Sequence, residues 1–105
     1  LKCITDFKTP DGRKLSFHAY SDSLGRHGFK PPYIEIDYII TNYSRKTTQI
    51  KDGTLSNVYI KKQSDGKYGV VIENSNDGTI ITALKNLTSQ SLKNLGKKNG
   101  FNPNP

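Results

Sequence analysis

The chain of 105 residues contains no methionine, no tryptophan and a single cysteine, Cys3. One thiol closes no intramolecular disulfide, so packing and hydrogen bonds must hold the fold, and the usage fits a reducing site of action. One cysteine and two histidines build no zinc cluster without carboxylates. The aspartates and glutamates show no ligand spacing, so no metal or other cofactor is expected. No apolar run reaches the roughly 18 residues of a membrane span, and no secretory signal is present, so this domain is not expected to insert into a membrane. Only 32% of the residues are apolar, which leaves an economical core built largely from Tyr, Phe and Ile. Acidic residues are also scarce: nine stand against sixteen Lys and Arg, giving a net charge of +7. A basic domain of this size most often meets nucleic acid, an anionic membrane surface or an acidic protein, with a simple solubility charge as the bland alternative. The basic residues are interleaved with Tyr, Thr and Asn, which stack on bases or bond to phosphate and sugar, and this puts nucleic acid first.

The length fits one domain over 1–105, and the start at Leu1 reads as a domain cut from a longer polypeptide. Residues 1–12 form a lead-in that closes with the turn Pro10-Asp11-Gly12. Phe17, Tyr20 and Leu24 fall at helical spacing and predict a helix over 13–24, ended by Gly25 or Gly28. Pro31-Pro32 opens a second helix, with Glu35 and Asp37 in its first turn and an apolar stripe of Ile36, Ile39, Ile40 and Tyr43. The period then changes to two. Strands are predicted over 46–50, 55–63, 68–74 and 79–84, separated by Asp52-Gly53, Asp65-Gly66 and Asp77-Gly78, the signature of an antiparallel meander. A last helix starts at Thr88 as N-cap, with Leu87 and Leu92 as a hydrophobic staple, and ends near Leu95 with Gly96 as its stop. Residues 99–105 are a tail, frayed or pinned by Phe101. The expected fold class is α+β: two N-terminal helices, a four-stranded antiparallel β-meander and a C-terminal helix. The helices lie on one face of the sheet, and the other face is open and rich in Lys, Tyr and Thr.

Both histidines, His18 and His27, fall in the stretch 15–29, together with Arg26. Metal-free RNA cleavage needs a base for the 2′-hydroxyl proton, an acid for the leaving 5′-oxygen, cations for the charged phosphorane and a surface that holds the strand in line. Histidine suits the acid and base roles because its reference pKa lies near neutrality. His18 is the first choice; its alternative is a half-buried histidine bonded to a backbone carbonyl. His27, in a Gly-flanked loop, is either a functional partner or an exposed loop residue. Arg26 offers bidentate geometry to a phosphate, or simply ends a helix in solvent, and Lys30 has the same two readings. Tyr59 and Lys61 share one face of the second strand and form either a stacking platform or outward decoration. Tyr68 supplies a hydroxyl or a stacking ring, or packs in the core. Lys93, Lys97 and Lys98 make a phosphate-contact patch or a solvated helix end.

The order of elements resembles the barnase–EndoU–colicin–RelE (BECR) class of small metal-independent ribonucleases. It is closest to the C-terminal toxin domains of bacterial polymorphic toxins, including contact-dependent growth inhibition toxins. The resemblance covers roughly 15–84 and is carried by His18-Ala19, Arg26-His27-Gly28-Phe29, Ile34-Glu35-Ile36-Asp37 and the strand pair at 67–72 and 78–83. His27 stands between Arg26 and Gly28 where relatives run straight from Arg to Gly, Asp22 stands where many place an Arg, and the helix after Leu87 is an extension. The resemblance implies an endoribonuclease, acting foremost on tRNA and leaving a 2′,3′-cyclic phosphate. With the residues singled out above, the candidate catalytic set is His18, Arg26, His27, Thr82, Tyr59 and Lys61, with Thr82 taken from the family position and Thr79 on the opposite strand face. The resemblance also implies an acidic immunity protein as partner, and a domain at the C-terminus of a large secreted or cell-surface effector that acts in the target-cell cytoplasm. A non-catalytic nucleic-acid-binding module and an accessory domain that uses its sheet edge for protein contact are the alternatives.

Overall fold

Alternating residues bounded by Asp-Gly turns dictate the sheet. The computed structural model describes residues 8–16, 19 and 33–102. Strands β1 (Arg45–Lys51), β2 (Thr54–Lys62), β3 (Tyr68–Asn74) and β4 (Ile80–Leu87) form one antiparallel sheet in the order β1-β2-β3-β4. Helix α1 (Ile34–Thr41) precedes the sheet and α2 (Ser89–Asn99) follows it. The β1–β2 connection places Asp52 at φ 53° and Gly53 at φ 78°. Two left-handed residues in succession match the twist of a two-residue hairpin, which is why Asp-Gly is found there. β4 is longer than predicted and irregular. Glu73 pairs with Ile80 but Ile72 with Thr82, so Ile81 is an extra residue that bends the strand.

The pleat sends alternate side chains to two faces, and both are covered. Tyr59, Val71 and Ala83 pack with Ile36, Ile39 and Ile40 of α1 and with Leu15, Ala19 and Tyr33. Val58, Ile60, Val70 and Ile72 pack on the opposite face with Leu92 of α2 and Phe101, joined by Ile81, Leu87 and Leu95. The expectation of helices on one face and an open second face is therefore overturned: the sheet lies between α1 and α2. The physical reason is the apolar second face of β2 and β3, which no lysine-rich surface would leave in water. Among the described residues no helix is long and apolar enough to cross a membrane.

Other boundaries also differ. The helix predicted to begin at Arg13 does not do so. Lys14 and Leu15 are extended beside Ile80, whose N–H donates to the Lys14 carbonyl at 2.8 Å and whose carbonyl accepts from the Ser16 N–H at 3.0 Å. This segment caps the outer edge of β4. Ala19 is helical, and the rest of that predicted helix lies outside the described residues, as does Pro31-Pro32. Helix α1 is entered through Tyr33, buried and held at φ 67°. Tyr43 lies beyond the helix end and is 45% exposed, so it leaves the predicted stripe. Thr88 does cap α2, its Oγ1 accepting from the Ser91 N–H at 3.1 Å. Gly96, however, is a buried interior residue, and the helix stops at Gly100, at φ 82°, whose N–H donates to the Gly96 carbonyl. Phe101 is buried and pins the chain after that stop.

Leu92 is fully buried and anchors α2 to the sheet. Leu92→Ala is expected to lower stability by about 2–5 kcal/mol, while Ile50→Ala, at a side chain 71% exposed, shifts it by less than about 0.5 kcal/mol. Urea unfolding of the two variants checks this, and a wild-type midpoint for Leu92→Ala would remove α2 from the core.

Candidate nucleic-acid interface

Register fixes which side chains meet on the α1 side of the sheet. Lys46 of β1 faces Tyr59 of β2, Thr48 faces Asn57, and Asn57 in turn faces Glu73 of β3. The three polar residues of β2 and β3 close on one atom. Glu73 Oε1 accepts from the Tyr59 hydroxyl at 3.0 Å and from the Asn57 amide at 3.1 Å. Lys46 Nζ lies 5.2 Å from the centre of the Tyr59 ring, and the Tyr43 ring meets that of Tyr59 at 5.5 Å. On α1, the Tyr38 ring has Lys61 Nζ 6.0 Å from its centre. Burial pushes the Tyr59 phenol above its ordinary pKa, and its hydrogen bond to the Glu73 carboxylate and that negative charge push it further, against the pull of Lys46. Tyr59 is thus a protonated donor across the physiological range.

A second polar arrangement ties the lead-in to α1. Asp37 is buried, and its Oδ1 accepts from Arg13 Nη1 at 2.7 Å while Oδ2 accepts from the Asp11 N–H at 2.9 Å. Arg13 Nη1 also reaches Asp11 Oδ2 at 3.1 Å. Burial alone would lower the Arg13 pKa, but the hydrogen bonds to Asp37 and Asp11 and their negative charges raise it overall. This turn, with the β3–β4 connection, borders an open cleft of about 340 Å³ lined by Arg13, Lys14, Glu73, Asp77 and Thr79 among others. Asp77 is held below the usual carboxylate range, chiefly by the Thr79 N–H, which donates to it at 2.9 Å. Glu73 belongs to the Tyr59 cluster and also lines the cleft. Among the described residues no group of His, Cys, Asp and Glu is placed to hold a metal ion.

The residues singled out in the sequence are distributed unevenly. Tyr59 and Lys61 do lie on one face of β2, but α1 packs on that face and Tyr59 is 7% exposed. Its ring is a covered support rather than an open stacking surface. Thr82 pairs with Ile72, whose side chain belongs to the α2-side core, so Thr82 is not brought to Tyr59. Tyr68 is buried in that same core. Thr79 lines the cleft just before β4 begins. Lys93, Lys97 and Lys98 are exposed on α2, across the sheet from Tyr59. His18, Arg26, His27 and Lys30 lie outside the described residues. Sequence reading passed over Glu73, Asn57, Lys46, Tyr38 and Tyr43. Glu73 had one usable signal, a lone acid directly after an apolar run, two residues after Val71 and therefore on the Tyr59 face. Comparison with protein-family models, with curated proteins and with solved structures finds no match to this chain.

Two expectations follow from these contacts. Asp37→Ala strips Arg13 of its shorter, more buried carboxylate partner and unties residues 11–13, which is expected to cost about 2 kcal/mol or more in chemical unfolding; an unchanged midpoint would mean another contact holds the turn. For Tyr59 the raised pKa favours the folded state fully below the unfolded phenol's value of about 10. As pH climbs from there, the unfolded chain gives up the proton first and stability falls. Tyr59 is therefore expected to show phenolate absorbance only above the range of a free phenol, and Glu73→Gln to bring its titration down; a titration unmoved by that change would deny the hydrogen bond its role.

Proposed function

We propose that this chain is a metal-independent endoribonuclease toxin domain of BECR type, which cleaves RNA, with tRNA the first candidate. The 2′-hydroxyl gives up its proton and attacks the adjoining phosphate, the bond to the 5′-oxygen of the next nucleotide breaks and that oxygen takes up a proton, and a 2′,3′-cyclic phosphate is left. The observation that carries this reading is the Glu73 carboxylate. It is fixed through one oxygen by Tyr59 and Asn57, flanked by the Lys46–Tyr59 contact, and it lines a cleft that holds Arg13 and Lys14 alongside Asp11 and Asp77. A held carboxylate beside cations can take a hydroxyl proton while positive charge offsets the developing phosphorane. The net charge of +7 would draw a polyanion to the protein. By resemblance, His18 supplies the partner acid or base and Arg26 the phosphate clamp, while His27 and Lys61 are further candidates for contact with the RNA. The same reading makes an acidic immunity protein the natural partner, since opposite charge speeds association and covers the site. It also makes the domain the C-terminal part of a secreted or cell-surface effector acting in the cytoplasm of a target cell.

Incubation of the purified protein with total RNA in EDTA tests the proposal. Cleavage should persist in the chelator and end in a cyclic phosphate. Glu73→Gln and His18→Ala should each lower the rate by about a hundredfold or more. RNA left intact but bound, with affinity falling steeply as salt rises, would instead assign a non-catalytic nucleic-acid-binding module.

A further inference from the structure

Rings and ammonium groups alternate where α1 ends and β1 begins. Tyr38, on the outer side of α1, is 49% exposed, and Tyr43, just past the helix, is 45% exposed. Lys61 Nζ stands 6.0 Å from the Tyr38 ring, and Lys46 Nζ stands 5.2 Å from Tyr59, on which the Tyr43 ring rests at 5.5 Å and a 55° tilt. Lys61 and Tyr59 occupy the same face of β2 two residues apart, about 7 Å along the strand. The surface thus runs from Tyr38 through Lys61 and the covered Tyr59 to Tyr43 and Lys46. The acids of α1 and β3 nearest to this band are already engaged: Glu35 with Lys85, Asp37 with Arg13, and Glu73 with Tyr59. Among the described residues neither Lys46 nor Lys61 has a carboxylate partner, so both charges remain available to an incoming anion.

We propose that this band is a binding track for single-stranded RNA, on which Tyr38 and Tyr43 each stack one base while Lys46 and Lys61 neutralise phosphates. An exposed ring face gains most from an unpaired base, whose own face is free, and each such stack contributes about 1–3 kcal/mol. A duplex hides those faces, and an acidic protein would use the lysines but leave the rings idle. Tyr59 fixes the track to the cleft, because the ring that supports Tyr43 is held through its hydroxyl by Glu73. The inference rests on the RNA-directed reading above and adds to it a place for the strand that runs on from the Glu73 carboxylate.

Anisotropy of a labelled 2′-O-methyl oligouridylate, which cannot be cleaved, separates binding from catalysis. Tyr38→Ala and Tyr43→Ala are each expected to weaken binding about tenfold, and Tyr38→Phe and Tyr43→Phe to bind as the wild type does. Lys46→Gln with Lys61→Gln should flatten the slope of log affinity against log salt by about 1.4. Both tyrosines are half exposed, so the folded state survives their replacement, and the phenylalanine variants control for any local change. Unaltered binding by the alanine variants, equal loss with phenylalanine, or equal affinity for an RNA duplex would each overturn the track. Loss of cleavage with this pattern of binding intact would overturn the ribonuclease reading alone.

Discussion

The double-sided burial of β3 is the constraint on which the rest of the structure depends. Its first five residues, 68–72, are all buried, and side chains on a strand alternate between faces. Val70 and Ile72 need cover on one side and Val71 on the other, so no single layer of helix can satisfy the strand. α2 meets the first demand and α1 the second. Gly69 sets how closely α1 approaches: a Cβ there would stand 2.8 Å from Ile39 Cδ1, inside the packed core. The residue that looks like a weak point in a strand is the one that lets helix and sheet touch.

Covering both faces leaves little of the sheet for chemistry, and what remains is at its ends. Burial along β3 fades at Glu73, where the strand runs out from under α1. A carboxylate at that point stays in reach of solvent and of the cleft, while Tyr59 and Asn57 hold it from the neighbouring strand. The other opening is the corner where α1 hands over to β1, with Tyr38 and Tyr43 exposed above the buried Tyr59. Tyr59 is common to both. Its ring is core and its hydroxyl is site, and this is how the packing of α1 transmits to the position of a carboxylate one strand away.

Much of this was legible from residues and their spacing. Asp52-Gly53, Asp65-Gly66 and Asp77-Gly78 mark the connections because few other residues accept the backbone that tight hairpins require, and the four strands between them follow. Thr88 with Leu87 and Leu92 marked the start of α2 for a similarly local reason. Sidedness was not legible. Tyr-Gly-Val-Val-Ile carries apolar groups to both faces, and period-two reading cannot say that two layers will be needed. Gly96 reads as a stop because glycine usually ends helices, yet the helix continues to Gly100, where the left-handed turn is made. Lys14 and Leu15 are drawn out straight by the free edge of β4, a partner 65 residues away that no local pattern encodes. The Glu73 cluster is likewise a product of register, since Asn57, Tyr59 and Glu73 converge only once β2 and β3 are paired.

The charge distribution follows from the same geometry. Acids are few, and several of them are consumed internally: Asp37 by Arg13 and the Asp11 amide, Glu73 by Tyr59 and Asn57, Asp77 by the turn to Thr79. Each carboxylate used to fix a loop or a hydroxyl is withdrawn from the surface as a partner for lysine. The net charge stays +7, but Lys46 and Lys61 stand beside rings instead of acids. An ammonium held near an aromatic face keeps its charge and much of its hydration, and gives up little when a phosphate displaces solvent. Economy of acids in the fold and appetite for a polyanion at the surface are in this protein one property, set by which carboxylates the loops and strands require.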